Sequence, residues 1–239
     1  MPAIAKPGGA NGLPNPVICL YGNAIRSAQG LVDLWPCDDP SGSTTLRNLI
    51  TPSRTLGSFG ANVKTGLKSL LGNDPYGKSY WGGHAKTASN YTLPTAAGSV
   101  ELLFAGASMG AYGNTSFGSN WDGTSGLLIY GTGTGGTIRI YRGTNNVNAA
   151  TPPPFSMGST VHLAVTWDST TQYLYLNGVV AAQQSVGAMS NAARALEFGN
   201  YNSSGGTEMA GGFQWIAVYN RALSAAEVKM HYGLVIQPG

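Results

Sequence analysis

The four glutamates of this 239-residue chain are its first candidates for acid–base chemistry. Retaining glycoside hydrolysis needs two carboxyl groups about 5 Å apart. Because side chains on one face of a strand repeat every second residue, such a pair predicts a Glu-x-Asp or Glu-x-x-x-Glu pattern. No glutamate has a second acidic residue within four positions, and the four are Glu101, Glu197, Glu208 and Glu227. We therefore expect no enzyme activity, and a polysaccharide hydrolase or lyase is the third-ranked alternative.

The histidines are the second candidates, because a lyase needs His, Tyr and Arg or Lys side chains that converge on one face. His84, His162 and His231 fall in segments that are unrelated in sequence. Only His162 lies in a predicted strand, so we interpret it as a structural residue. Glu101 lies in an apolar strand and is interpreted as part of the core.

Oxygen ligands for calcium are scarce. Calcium prefers several oxygens, usually including two or more carboxylates. The available donors are Asp38 with Asp39, or Asp122 with Asn120, and acids at such positions commonly cap turns. No Cys and His spacing suits zinc. We expect no cofactor and no metal, with calcium kept as an alternative.

Aromatic rings beside amides and acids form the third chemical pattern. Sugar sites combine an aromatic platform with polar groups, and exposed Tyr and Trp are equally typical of protein interfaces. Two predicted loops and one strand have this mixture. The candidate glycan- or protein-binding residues are Tyr112, Asn114, Asn120, Trp121, Asp122, Tyr173, Tyr175, Asn200, Tyr201 and Asn202.

Three consecutive short strands are predicted over residues 160–182, and they are the most informative stretch. Apolar residues alternate from Val161 to Trp167, which is the period of a strand with two different faces. Asn177-Gly178 between apolar runs predicts a hairpin turn, because both central residues of a type I′ turn need positive φ. Large side chains on both faces of 172–176 predict a sheet packed on a second layer.

One helix is predicted near the C-terminus, after a strand over 213–219. Ser224 and Glu227 have the spacing of a capping box. Gly233 stands where a left-handed residue would end the helix. Residues 105–124 are interpreted as a long loop. Further strands are predicted at 30–37, 78–81, 89–93, 99–104, 127–130 and 137–141.

The strands at 160–182, LEFGN at 196–200 and VYNRALSAAEVKMHY at 218–232 closely resemble the C-terminal half of laminin-G-like, concanavalin A-like jelly-roll domains. The segments at 31–50 and 98–106 resemble their opening and an early core strand. This resemblance implies an all-β fold, a two-sheet antiparallel β-sandwich with an extended N-terminal arm and one short C-terminal helix. Such domains often bind calcium at one rim, but no position here matches well enough to transfer that site.

Composition divides the chain into two parts. Residues 1–16 contain four Pro and three Gly, so residues 1–29 are predicted to form an arm, with 17–21 as an alternative edge strand. Residues 30–239 are predicted to form the jelly-roll domain. Cys19 and Cys37 are the only cysteines, and we favour two buried thiols over a disulfide.

Charge and hydropathy exclude several classes of partner. Charged residues make up 10% of the chain and the net charge is +3 without a basic cluster, which argues against nucleic-acid binding. No apolar stretch is long enough to span a membrane. The N-terminus lacks the apolar segment of a secretory signal.

A fold usually found outside cells, without a secretory signal and with a weakly charged surface, suggests a bacteriophage particle. We therefore predict a non-catalytic structural or binding module of a multi-subunit particle, made in the host cytoplasm and incorporated in the virion as a capsid decoration or tail-fibre protein. The arm would attach it to protein neighbours, either further copies in a homo-oligomer or capsid and tail proteins, and the sandwich would contact surface glycans. The alternative is a free lectin-like carbohydrate-binding module.

Overall fold

The computed structural model describes residues 20–57, 65–66, 71, 80–81, 84–106, 115–131, 137–148, 159–200 and 211–236. Within these ranges two helices and fourteen strands follow in the order α1 (Leu20–Ser27), β1 (Leu31–Trp35), β2 (Leu56–Gly57), β3 (Tyr80–Trp81), β4 (Ala85–Asn90), β5 (Gly98–Gly106), β6 (Thr115–Ser119), β7 (Leu127–Gly131), β8 (Ile138–Arg142), β9 (Asn145–Asn148), β10 (Thr160–Trp167), β11 (Thr171–Leu176), β12 (Val179–Ser185), β13 (Ala195–Phe198), β14 (Gly211–Tyr219) and α2 (Ala225–Val235).

The described strands form two antiparallel sheets. The first sheet has the order β1-β14-β5-β10-β11-β12, and β3 also pairs with β14. The second sheet has the order β2-β4-β13-β6-β7-β8-β9. Strand β14 lies between β1 and β5 although it is the last strand in the chain. Because β13 belongs to the second sheet, the chain crosses from the second sheet to the first between β13 and β14. This architecture confirms the predicted all-β sandwich.

The core lies between the two sheets. The apolar residues that alternate along β10 face the second sheet, where they meet apolar residues of β6, β7, β8 and β13. Large rings dominate this layer, because they bury the most apolar area per residue. The fully buried rings of the layer are Trp35, Phe104, Phe117, Trp167, Phe198 and Phe213.

The predicted turns and most predicted strands are confirmed. Asn177 and Gly178 have φ of 49° and 76°, as a type I′ hairpin requires. The hairpin predicted at 127–130 and 137–141 is formed by β7 and β8. The strand predicted at 89–93 lies earlier in the chain, as β4 (Ala85–Asn90). Its buried positions are Ala85 and Thr87, and these fix the strand on the core.

The interpretation of 105–124 as a continuous loop is wrong, because it contains β6. Glycine and serine suggested a loop, yet Phe117 is fully buried in the core. A Cβ on Gly118 would lie 3.1 Å from the ring of Phe198. The glycine therefore permits close strand packing at this point rather than marking a loop.

The alternative edge strand at 17–21 is also wrong for its described residues, because Leu20 and Tyr21 begin helix α1. Tyr21 and Ile25 are four positions apart, so they share one helix face, and both are buried. They pack on the outer side of the first sheet. The described end of the predicted arm, Leu20–Ser27, is thus folded against the sandwich. Residues 1–19, including Cys19, lie outside the described residues.

Helix α2 begins with the predicted capping box, in which the Ser224 side chain accepts from Glu227 N and Glu227 accepts from Ser224 N. Gly233 does not end the helix, which continues to Val235. Its φ lies outside the left-handed region. Neither helix in the described part of the chain has the length and apolar character needed to cross a bilayer.

Candidate functional site

Trp121 stands at one side of a groove on the outer face of the second sheet. The groove has a volume of about 230 Å³. Its floor comes from β4, β13 and β6, which are neighbours in the sheet. Polar and charged side chains surround the indole. The lining residues other than Trp121 that carry polar side chains are Lys86, Asn90, Ser119, Asn120, Arg194 and Glu197.

Contacts on several sides fix the Trp121 indole. Its Nε1–H donates to the carbonyl of Gly143 at 2.9 Å, and its backbone N–H donates to Ser119 Oγ. The indole stacks on Tyr141, with ring centroids 5.1 Å apart. Tyr141 in turn stacks on Tyr130 at 5.6 Å. An aromatic ring held in this way can bind a ligand without a further loss of side-chain entropy.

Asn120 and Asp122 flank Trp121 and form the turn that presents it. The Asn120 amide donates to the carbonyl of Tyr91 at 3.2 Å and accepts from Leu127 N at 2.8 Å. Asp122 Oδ1 accepts from the backbone N–H groups of Thr124 and Ser125, and these bonds lower the pKa of Asp122. Both predicted ligand-binding residues therefore use their side chains to position the indole.

Glu197 lies in the groove, although no second acidic residue close to it in the chain marks it as a candidate. Leu196 and Phe198 face the core, so alternation along β13 places Glu197 on the outer face. Its carboxylate is 3.7 Å from His84 Nε2. Asn200, another predicted ligand-binding residue, is buried and donates from Nδ2 to His84 Nδ1 at 3.4 Å.

Tyr173 and Tyr175 lie on the other sheet. They are two positions apart on β11, on the outer face of the first sheet, with ring centroids 6.0 Å apart. They line a second groove of about 310 Å³ beside the start of α2, together with Val180 and Leu223. Burial raises the pKa of Tyr175. The predicted candidates thus divide between two faces of the sandwich.

Four predicted ligand-binding residues lie outside the described residues. They are Tyr112, Asn114, Tyr201 and Asn202.

A buried carboxylate that the sequence interpretation assigned to the core connects five elements. Glu101 on β5 accepts hydrogen bonds from His162 Nε2 at 2.6 Å, Tyr219 OH at 2.9 Å and Tyr21 OH at 3.2 Å. His231 Nδ1 lies 3.1 Å from both carboxylate oxygens. The prediction that His162 and His231 occupy unrelated elements is therefore wrong. We call these five residues the Glu101 cluster.

Hydrogen bonds within the Glu101 cluster shift the pKa values of Glu101 and His231. Burial alone would raise the pKa of Glu101, but the hydrogen bonds from His162 and His231 outweigh it and hold the pKa well below its usual range. Burial would likewise lower the pKa of His231, whereas the bond to Glu101 and its charge raise it. Every member of the cluster is at most 1% exposed, so the cluster joins the helices to the sheet and is closed to a substrate.

The acids considered for calcium take part in turns and ion pairs. Asp38 pairs with the Arg47 guanidinium, and both oxygens of Asp39 accept from Arg47 N. Within the described ranges no three His, Cys, Asp or Glu side chains gather as metal ligands. Cys37 is a free, buried thiol.

Sequence comparison assigns the family. A laminin G family model, described as the concanavalin A-like lectin/glucanases superfamily, matches residues 76–229, well over half of the chain. The chain belongs to this superfamily. The match confirms the resemblance inferred from the strand, turn and helix motifs. No curated protein sequence matches the chain at a significant level.

Solved structures with the same fold include carbohydrate-binding proteins. Domain 4 of the arabinanase AbnA from Geobacillus stearothermophilus, in complex with arabinotriose, has a TM-score of 0.63 and 15% identity, covering 84% of this superfamily member and 98% of that domain. A Trypanosoma rangeli sialidase has a TM-score of 0.63 and 13% identity over 89% of this chain. The chain spans only 37% of that sialidase.

The binding domain of botulinum neurotoxin DC, in complex with SialylT, is similar as well. It has a TM-score of 0.59 and 11% identity, covering 86% of this chain and 51% of that one. At these identities the similarity shows the shared sandwich alone.

Proposed function

We propose that this domain is a non-catalytic carbohydrate-binding module whose ligand lies in the groove beside Trp121. The single observation that carries the proposal is the fixed indole, which stacks on Tyr141 and also lines a polar groove. Sugars have apolar ring faces and polar rims, so a rigid aromatic beside polar side chains matches both. The complexes of similar sandwiches with arabinotriose and SialylT support the same class of ligand.

The composition of the groove favours binding over hydrolysis. Among the described residues that line it, Glu197 is the one carboxylate. Hydrolysis by either stereochemical route uses two carboxyl groups that flank the scissile bond. The carboxylate of Glu101 lies in the closed cluster beneath the helices, on the other sheet. The groove therefore offers recognition without the acid pair that hydrolysis uses.

The groove at Tyr173 and Tyr175 is a weaker candidate for sugar. Asp168 is its acidic residue in the described chain, and Asp168 Oδ1 accepts from Thr170 N and Thr171 N. Ser224, at its other side, takes part in the capping box. These polar groups are thus committed to the fold.

A glycan array probed with the native protein tests the proposal, followed by titration calorimetry with the strongest binder. We expect Trp121→Ala to weaken binding at least about tenfold, as truncation of a central aromatic residue does. Tyr173→Ala is the matched control, because it removes an aromatic from the other groove and should leave affinity unchanged. Equal affinity of wild type and Trp121→Ala, with both variants folded, would refute the proposal.

We also propose, as the sequence predicts, that the module is carried on a phage particle. The docking of α1 supports an attachment role, because Tyr21 and Ile25 fix the chain just after residues 1–19 on the sandwich. Deletion of residues 1–19 should then abolish incorporation into particles while the domain still folds. Incorporation of the truncated protein at the wild-type level would exclude this role.

A further inference from the structure

Arg139 lies on the same outer face of the second sheet as the groove at Trp121. In β8 the apolar residues Ile138 and Ile140 are fully buried, whereas Arg139 and Tyr141 are half-buried. Arg139 is paired across the strands with Tyr130 of β7. The arginine therefore lies at the end of the row of stacked rings that runs from Trp121 through Tyr141 to Tyr130.

The tips of these side chains form a group of hydrogen-bond donors. Arg139 Nη1 lies 3.4 Å from Tyr130 OH, and the hydroxyls of Tyr130 and Tyr141 are 3.5 Å apart. These hydrogen bonds to the two phenols raise the pKa of Arg139, so the guanidinium is charged at any working pH. An oxygen-rich anion is the ligand that such a group of donors recognises best.

No carboxylate of the described residues pairs with Arg139. By contrast, Arg47, Arg54 and Arg221 each bind a carboxylate, of Asp38, Asp33 and Glu227 respectively. Arg142, three positions after Arg139, is buried and bonds the carbonyls of Asp168 and Gly187. Arg139 differs from all of these, since within the described structure its guanidinium bonds only phenol hydroxyls, those of Tyr130 and Tyr141. Its Nε is also buried without a hydrogen-bond partner there.

We infer that the glycan recognised at the groove is acidic, with a carboxylate bound by Arg139 and Tyr130 and a neighbouring sugar ring held at Trp121. This inference rests on the proposed carbohydrate-binding function and adds the class of sugar. The aromatic row connects the two ends, because Tyr141 contacts both Trp121 and Tyr130. A uronic or other carboxylate-bearing sugar in an oligosaccharide has the required combination of an anion and adjacent apolar ring faces.

An array that carries neutral and carboxylate-bearing glycans, probed with the full chain and with Arg139→Gln, tests the inference. We expect the wild type to bind mainly carboxylate-bearing glycans. A charge-assisted hydrogen bond contributes about 1.5–3 kcal/mol, so Arg139→Gln should weaken their binding about tenfold to a hundredfold. Reduction of the carboxylate to an alcohol in the glycan that binds most strongly should weaken its binding to the wild type by a similar factor. The same reduction should change its affinity for Arg139→Gln little further.

Lys229→Gln is the matched control, because it removes one positive charge from an exposed site on helix α2, outside the second sheet. It should leave binding unchanged. Binding of neutral glycans that persists in Arg139→Gln would overturn the acidic-glycan inference and leave the proposed function intact. Binding of no glycan at all would overturn both.

Discussion

His162 Nε2 lies 2.6 Å from Glu101 Oε1, although 61 positions separate the two residues in the chain. The register explains the contact. Ala164 pairs with Glu101 and His162 pairs with Leu103 on neighbouring strands, so the two polar side chains are diagonal neighbours on one face. Helices α1 and α2 cover that face through Tyr21 and His231. A buried charged group thus connects both helices to the first sheet.

Removal of the Glu101 charge should strongly destabilise the domain. In Glu101→Gln the two histidines lose their anionic partner in the interior, and loss of one member of a buried pair costs about 3–5 kcal/mol. The free energy of unfolding, measured in urea, checks this. Tyr219→Phe, which deletes one hydrogen bond to the same carboxylate, should cost about 1–3 kcal/mol. A smaller loss in Glu101→Gln than in Tyr219→Phe would contradict the assignment of Glu101 as the centre of the cluster.

The Glu101 cluster should also make stability depend on pH. The pKa of His231 is raised in the folded state above its ordinary 6.5. The stabilisation from its protonated form is therefore fully present below pH 6.5 and is lost as pH rises through the folded-state pKa. The ionised Glu101, whose pKa is lowered in the folded state, stabilises the fold fully above pH 4.5, its ordinary pKa. This stabilisation is lost only as pH falls through the depressed folded-state pKa.

The difference in unfolding free energy between wild type and His231→Gln, measured from pH 5 to pH 9, isolates this effect. We expect the difference to be largest at the acidic end and to shrink toward pH 9. A difference that stays constant over this range would show that His231 does not change its protonation there.

The Glu101 cluster also shows where sequence reasoning reached its limit. Alternation predicted β10 correctly and thereby placed His162 on the face opposite Val161. The same alternation did not show that helix α1 would cover this face, because the Pro and Gly content of the preceding residues indicated an arm. The acid at Glu101 and the histidine on the neighbouring strand become partners only through pairing between distant parts of the chain. That pairing depends on the packing of the whole fold.

Substitution of Gly233 by alanine should stabilise the domain. Gly233 lies inside α2 without a left-handed φ, and an added Cβ would meet no atom within 4 Å. Alanine is more favourable than glycine in a helix interior by about 1 kcal/mol. Thermal unfolding of Gly233→Ala should show a raised midpoint. A lowered midpoint would instead support the left-handed helix end that the sequence predicted.

The groove was only partly predictable for a related reason. The aromatic and amide content of the loop after β6 marks Trp121 as a candidate, and the structure places Trp121 beside the groove. The roles of Asn120 and Asp122 depend on bonds to Tyr91, Leu127 and their own turn, which composition does not reveal. Arg139 and Glu197 reach the same face through strand register, and no local motif marks either residue.

The most direct measurement is a two-dimensional ¹H–¹⁵N NMR titration that follows the indole N–H signals. Trp121 lines the groove, whereas the Trp167 indole is buried in the core and donates to the carbonyl of Pro94, so Trp167 serves as an internal reference. With a glycan that binds on the array, the Trp121 indole signal should shift in proportion to occupancy while the Trp167 signal stays in place. A Trp121 signal that stays unchanged while the glycan saturates the protein would contradict the site proposed for this domain.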